Sequence, residues 1–304
     1  MTNIAPELPP PGLPPAPEGG DILVQSGWRL AVREFAENKL AVAGLAALIF
    51  FVLFCYLGPL VYHGGLSSDL EAVNLPPGPG HPLGTDNQGF DVLEELMVGG
   101  QSALEIGFLS AFIGMVWGAV WGAVAGMAGR LFDGFLMRIV DVLLSIPFLF
   151  VVLIIAVRYG ASVIGLSVII GIFTWQVPAR LVRGEVLTLR VRDFVSAAKV
   201  AGSGWFRLMN RHLLPNSLGV IIVTATFSVA DAILAVATLG FLGFGLQYPT
   251  FDWGDMLNTG ISYLQDGYWW LVFPVGICII VVVMACNLIG DALRDALDVR
   301  LRRR

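Results

Sequence analysis

Six stretches of roughly 20 apolar residues constrain what this chain can fold into more than any other feature. A bilayer core about 30 Å thick needs about 20 helical residues, each adding about 1.5 Å. Leu40 to Val61 and Ile106 to Gly129 are uncharged, and Ile139 to Val157 holds only Asp141. Gly160 to Ala179 follows, then Ser217 to Leu239 with Asp231 inside, then Trp269 to Gly290. Lipid offers no hydrogen bonds, so each span must satisfy its own backbone, and the absence of two-residue alternation favours helices over a barrel. The expected fold is all-α, a polytopic membrane protein with six transmembrane helices. A composition 56% hydrophobic and 13% charged agrees, and it excludes an ordinary soluble domain.

Charge fixes the expected orientation. With the N-terminus in the cytosol, the inner segments collect all but one of the 18 Lys and Arg residues, leaving only Arg158 outside. The two long outer segments, Tyr62 to Gln101 and Gly240 to Tyr268, contain no Lys or Arg. Both termini are therefore expected in the cytosol. Trp269 and Trp270 at the head of the last span suit an interfacial belt.

The chain divides into a Pro-rich disordered tail and inner segment at 1–38, a first span at 39–62 and an outer segment at 63–101. A five-helix core at 102–290 encloses an inner segment at 180–216, and a basic tail at 291–304 ends the chain. The start lacks the basic residues of a signal peptide, so the first apolar run is read as an uncleaved span. Cys55, Cys278 and Cys286 lie in apolar stretches and read as small buried hydrophobes. His63, His81 and His212 are too scattered for a metal site, and none is expected. A net charge of -5 argues against a nucleic-acid partner.

Gly114, Gly118, Gly122 and Gly126 recur every four residues and stack on one face of the second span. Small residues there let another helix approach closely, within the chain or from a partner. The inner segment 180–216 is too long for a turn and too polar to cross. Phe194, Ala198, Ala201, Trp205 and Leu208 recur at helical spacing, interrupted at Gly202-Ser203-Gly204, which predicts two short helices forming an Ala-lined knob. Pro215 is expected to stop this element before the fifth span.

Here the sequence resembles a known family. Ala197-Ala198, Gly202 and then Leu214-Pro215 match the E-A-A-x-x-x-G motif of ABC-transporter import permeases. His81-Pro82-Leu83-Gly84-Thr85-Asp86 with Gly89 and Asp91-Val92-Leu93 is similar to the "C" permeases of dipeptide and oligopeptide importers. So are Arg138 and Asp141 with Leu144-Ser145-Ile146-Pro147, Trp253-Gly254 with Met256-Leu257, and Asn287-Leu288-Ile289-Gly290-Asp291 with Leu293-Arg294-Asp295 and Asp298. The resemblance runs from about Trp28 to Leu301.

It implies a type I ABC importer permease that couples through Ser196, Ala197, Ala198, Lys199 and Gly202 to separate ATPases. The implied partners are a homologous second permease, two ATP-binding cassette subunits carrying ATP and Mg, and an extracytoplasmic substrate-binding protein. Peptides are the first substrate class implied; nickel chelates, glutathione and oligosaccharides are served by permeases of the same type. Three positions depart from the pattern: Ser196 replaces Glu, Phe90 replaces Arg, and Val236 stands where Glu is usual.

The chain's own residues agree that it is not the ATPase. A phosphate-binding G-x-x-x-x-G-K-[ST] loop needs Gly before Lys, and Lys39 and Lys199 follow Asn38 and Ala198. No cofactor or catalytic residue is expected in this chain. Asp231, inside a span, is a candidate for the translocation path, for an interhelical hydrogen bond or for a position near the interface. An ion-gradient-driven transporter is the rival reading, weakened by the lack of an internal repeat. A membrane-embedded enzyme is weaker still, because no histidine lies within an apolar stretch.

Overall fold

A computed structural model describes residues 27–63 and 68–302. The disordered-tail expectation for the first 26 residues lies outside them, but Gly27–Glu37 of the same segment is helical (α1). Asn38 then caps α2, Lys39–Val61, its side chain accepting from the Leu40 and Ala41 amides at 3.0 and 3.3 Å.

The second span is longer than expected. α3 runs Val92–Met127, starting fourteen residues before Ile106. Asp91 caps it, and Glu94 and Glu95 occupy its first turn, where carboxylates complement the helix dipole. Those two carboxylates hide the start from a hydropathy reading. At about 1.5 Å per residue, 36 residues reach about 54 Å, well past an apolar core.

Two expected spans are bent. α4 (Arg130–Ser145) and α5 (Phe148–Tyr159) meet at 73°, because Pro147 cannot donate to the helix ladder and forces Ile146 into extended geometry. α6 (Val163–Thr174) and α7 (Gln176–Leu189) meet at 44°, with Pro178 in the first turn of α7. Among the described residues four helices are long and apolar enough to cross a membrane unbroken, and six spans result if each bent pair counts as one.

The segment after α7 forms α8 (Asp193–Val200) and α9 (Trp205–Leu208). Pro215 does not end this element. A π-helical turn, Met209–Leu213, joins α9 directly to α10, Leu214–Phe241. The Leu214 amide donates to the Met209 carbonyl, five residues back, and this widened turn admits a proline without breaking the helix. α11, Trp253–Tyr263, lies within the second outer segment. α12 runs Phe273–Arg302, so the expected basic tail is helical through Arg302.

α3 and α10 form the centre. α3 packs on α2, α6, α7 and α10, and α12 closes the bundle against α2 and α10. The four glycines of α3 face α6 and α7 of the same chain. A Cβ on Gly114 would meet the Gly171 carbonyl at 3.1 Å, one on Gly118 the Trp175 carbonyl at 2.7 Å, and one on Gly122 the Ala179 carbonyl at 2.3 Å. On Gly126 it would meet Val186 at 2.7 Å. Gly171 returns the contact against Ile113, and the buried Ser110 hydroxyl donates to the Ser167 carbonyl at 3.1 Å. Backbones this close supply the dispersion contacts that hold helices together in lipid.

Candidate functional site

The Arg-rich end of the bundle is braced before it is presented. Arg183 pairs with Asp133 across α7 and α4, Nη2 to Oδ2 at 2.6 Å, and Arg180 pairs with Asp141. Arg190 donates to the Gly126 carbonyl at 2.9 Å, satisfying the last turn of α3 with a cation at its negative pole.

On that base, α8 and α9 make the knob. The Gly202 amide donates to the Lys199 carbonyl at 2.9 Å and the Ser203 amide to the Ala198 carbonyl at 3.0 Å. This pair of bonds is the Schellman closure of a helix, which needs a left-handed residue; Gly202 has φ +81°. The Gly of the Ala-Ala-x-x-x-Gly pattern therefore ends α8 and redirects the chain.

That turn also corrects the expected apolar stripe. Because Gly202 breaks the helical register, Phe194, Ala198, Ala201, Trp205 and Leu208 do not share one face. Ala198 and Leu208 turn inward with Val195, Met209 and Leu213, packing on Ala123, Val182 and Val186. Phe194, Ala201 and Trp205 are exposed, as are Ser196, Ala197, Lys199 and Gly202. Val200 at 91% and Phe206 at 69% exposure join them, together with Val191. Sequence reasoning missed Val191, Val200 and Phe206; the available signal was apolar residues flanking a Gly-rich break in an otherwise basic segment.

Asp231 lies on the outer face of α10, exposed on the chain's own surface, with no hydrogen bond or ion pair among the described residues. Among the described residues no interhelical hydrogen bond reaches Asp231. Val236 is buried against Ile106, Val152 and Leu166.

At the opposite, Lys- and Arg-free end, the His81–Leu93 motif is a tied loop. Asp86 accepts from the Gln88 and Phe90 amides at 2.8 and 2.7 Å, and burial raises its pKa against those bonds. Gly89 has φ +81°, and a side chain there would strike the Asp69 backbone. Asp91 caps α3 while accepting from the Tyr62 hydroxyl at 2.8 Å and contacting His81 Nδ1 at 2.8 Å. Phe90 packs on Tyr248 and Phe251, with ring centroids 5.8 and 5.4 Å apart.

α11 is anchored by Trp253, whose indole donates to the Leu96 carbonyl at 2.9 Å over Gly99 and Gly100. Asp252 caps α11, accepting from the Asp255 amide at 2.9 Å and the Leu246 amide at 2.8 Å. Burial outweighs those bonds and raises its pKa to about 6.

A bundle of bent and straight apolar helices with a short helical knob at its basic end is the architecture of a multi-pass membrane protein. The chain belongs to the family described as binding-protein-dependent transport system inner membrane component, matched over residues 92–303, which gives it the type I ABC importer permease fold. Residues 26–77 match the N-terminal TM domain of oligopeptide transport permease C. It is 38% identical to a dipeptide transport system permease protein of Bacillus subtilis, over 92% of this chain and 86% of that one. It is 37% identical to an oligopeptide transport system permease protein of Escherichia coli, over 90% of this chain and 91% of that one. A putative peptide transport system permease protein of Brucella abortus is 39% identical over 90% and 92%.

Proposed function

We propose that this chain forms half of the translocation path of an ATP-driven importer of di- and oligopeptides in a bacterial inner membrane. Its N- and C-termini face the cytosol. A homologous second permease completes the path, two ATPase subunits hydrolyse ATP with Mg beneath it, and a substrate-binding protein delivers solute from outside. The permease names of the relatives support the peptide class, and the distribution of Lys and Arg supports the orientation.

The observation that carries the coupling role is the knob at 193–208. Its side chains Val200, Phe206 and Trp205 are exposed, and so are Arg192, Lys199 and Arg207 of the same segment. Exposed apolar residues with a polar rim are the anatomy of a protein interface. Val195, Ala198 and Leu208 seat the knob on α3 and α7, and the π-turn joins it to α10, so a push on it reaches the spans. Ser196 leaves the docking face without the usual carboxylate, and small residues Ala197 and Gly202 still permit close approach.

Asp231 supports a path-facing surface on α10. A carboxylate against lipid is costly, so an exposed one at mid-span faces water or the second permease.

Val200→Glu tests the coupling role, since its 91% exposure makes the change harmless to the fold. The variant should insert normally yet lose ATPase co-purification and uptake. Wild-type uptake by that variant would remove the assigned role.

A further inference from the structure

The Lys- and Arg-free end holds a cavity of about 70 Å³ between the 86–90 turn, the first turn of α3 and α11. Glu95 lines it while only 6% exposed, and its carboxylate accepts no hydrogen bond among the described residues. The other charged residues lining the cavity are Asp86, Asp252 and Asp255, all acidic. Asp86 and Asp252 are partly satisfied by backbone amides, whereas Glu95 and the rim residue Asp255 are not. The sequence supplies no Lys or Arg in 62–101 or 240–268, and His81 is engaged by Asp91. A buried carboxylate must be paired or give up its charge, and the pairing cation is not in these segments.

We infer that this cavity is a socket for one ammonium or guanidinium head, carried by a Lys or Arg side chain of the extracytoplasmic protein that docks on this end. The inference rests on the importer reading above. Phe90, Tyr248 and Phe251 supply ring surface on the wall, which suits an organic cation. No group of three His, Cys, Asp or Glu residues among those described is arranged to hold a metal ion. The volume, that of a few water molecules, admits a side-chain head and not a dipeptide. Charge complementarity calls for a cation, and the size of the cavity favours a side-chain head of the docking protein over the transported solute.

The test uses the complete transporter in nanodiscs, with its ATPases, titrated with labelled binding protein at low and high salt. Glu95→Gln should weaken docking by about tenfold at low salt, flatten the salt dependence, and leave ATP hydrolysis without binding protein unchanged. Methylguanidinium chloride should weaken wild-type docking more than equal sodium chloride. Should Glu95→Gln fail to assemble, Asp255→Asn at the exposed rim and the wild-type competition decide. Equal affinity in the variants, or no excess effect of methylguanidinium, overturns the socket. So does unchanged docking with altered selectivity between free-amino and N-acetylated peptides, which assigns the cavity to substrate. Wild-type complex that no binding protein engages would reject the importer reading itself; engaged wild type with unaltered variants rejects the socket alone.

Discussion

Gly202 offers a test in which backbone geometry alone sets the magnitude. Its φ of +81° closes α8, and a Cβ built there meets nothing within 4 Å. Within this chain, substitution therefore costs only the left-handed conformation, about 1–2 kcal/mol for an L-residue, and the similar bulk of Asn and Val at the docking face leaves the backbone as the difference between them. That lowers the population of the docked knob geometry by about 5- to 30-fold. The expected order of ATPase affinity is Gly202 wild type, then Gly202→Asn, then Gly202→Ala, then Gly202→Val, because Asn tolerates this region and a β-branched residue does not. Titration of purified ATPase onto permease in nanodiscs reads the order directly. Gly184, on helix α7 with equally open space, is the control: Gly184→Ala should bind like wild type. Equal affinity for the Asn and Val variants would refute the claim that the left-handed turn shapes the docking surface.

Other outcomes follow from the same geometry. Gly122→Ala would drive a methyl into the Ala179 carbonyl at 2.3 Å, so the α3–α7 seam should open and the folded yield in detergent fall, while Gly134→Ala, with nothing within 4 Å, should express normally. Trp253→Ala should cost about 3–5 kcal/mol, seen as a lower melting temperature and faster proteolysis of the 240–268 segment. Asp252 carries a pH signature, with its pKa raised from 3.8 to about 6 by burial. A raised native pKa favours the protonated form, so this stabilisation is full below about 4 and is lost as pH rises through about 6. The difference is on the order of 3 kcal/mol, and melting curves of wild type minus Asp252→Asn between pH 4 and 7 should show it disappear; a flat difference would contradict the assignment.

Much of this architecture is written locally in the chain. Apolar length announces the membrane helices, and the four-residue glycine spacing of α3 announces a close seam whose partner, α6 and α7, needed three dimensions to identify. The Ala-Ala-x-x-x-Gly pattern located the knob, and Gly202 explained why a glycine stands there. What escaped reading was set by tertiary context. Glu94 and Glu95 masked the first turn of α3, because acidic side chains lower hydropathy where they serve a helix start. Pro147 was visible as a break, but the 73° angle between α4 and α5 leaves no mark in composition. Pro215 looked like a stop because the π turn that accommodates it leaves no compositional trace. The burial of Glu95 was equally hidden, since it comes from Phe90, Tyr248 and α11, which meet only in the fold.

The central claim is that this chain works as the permease half of an ATP-driven importer. Its most direct measurement is uptake of a labelled dipeptide into proteoliposomes holding this chain with its sister permease, ATPases and binding protein. Uptake should require ATP and binding protein, persist when ionophores collapse all ion gradients, and vanish with Val200→Glu. Uptake that proceeds without the ATPases and stops when the gradients collapse would contradict the account.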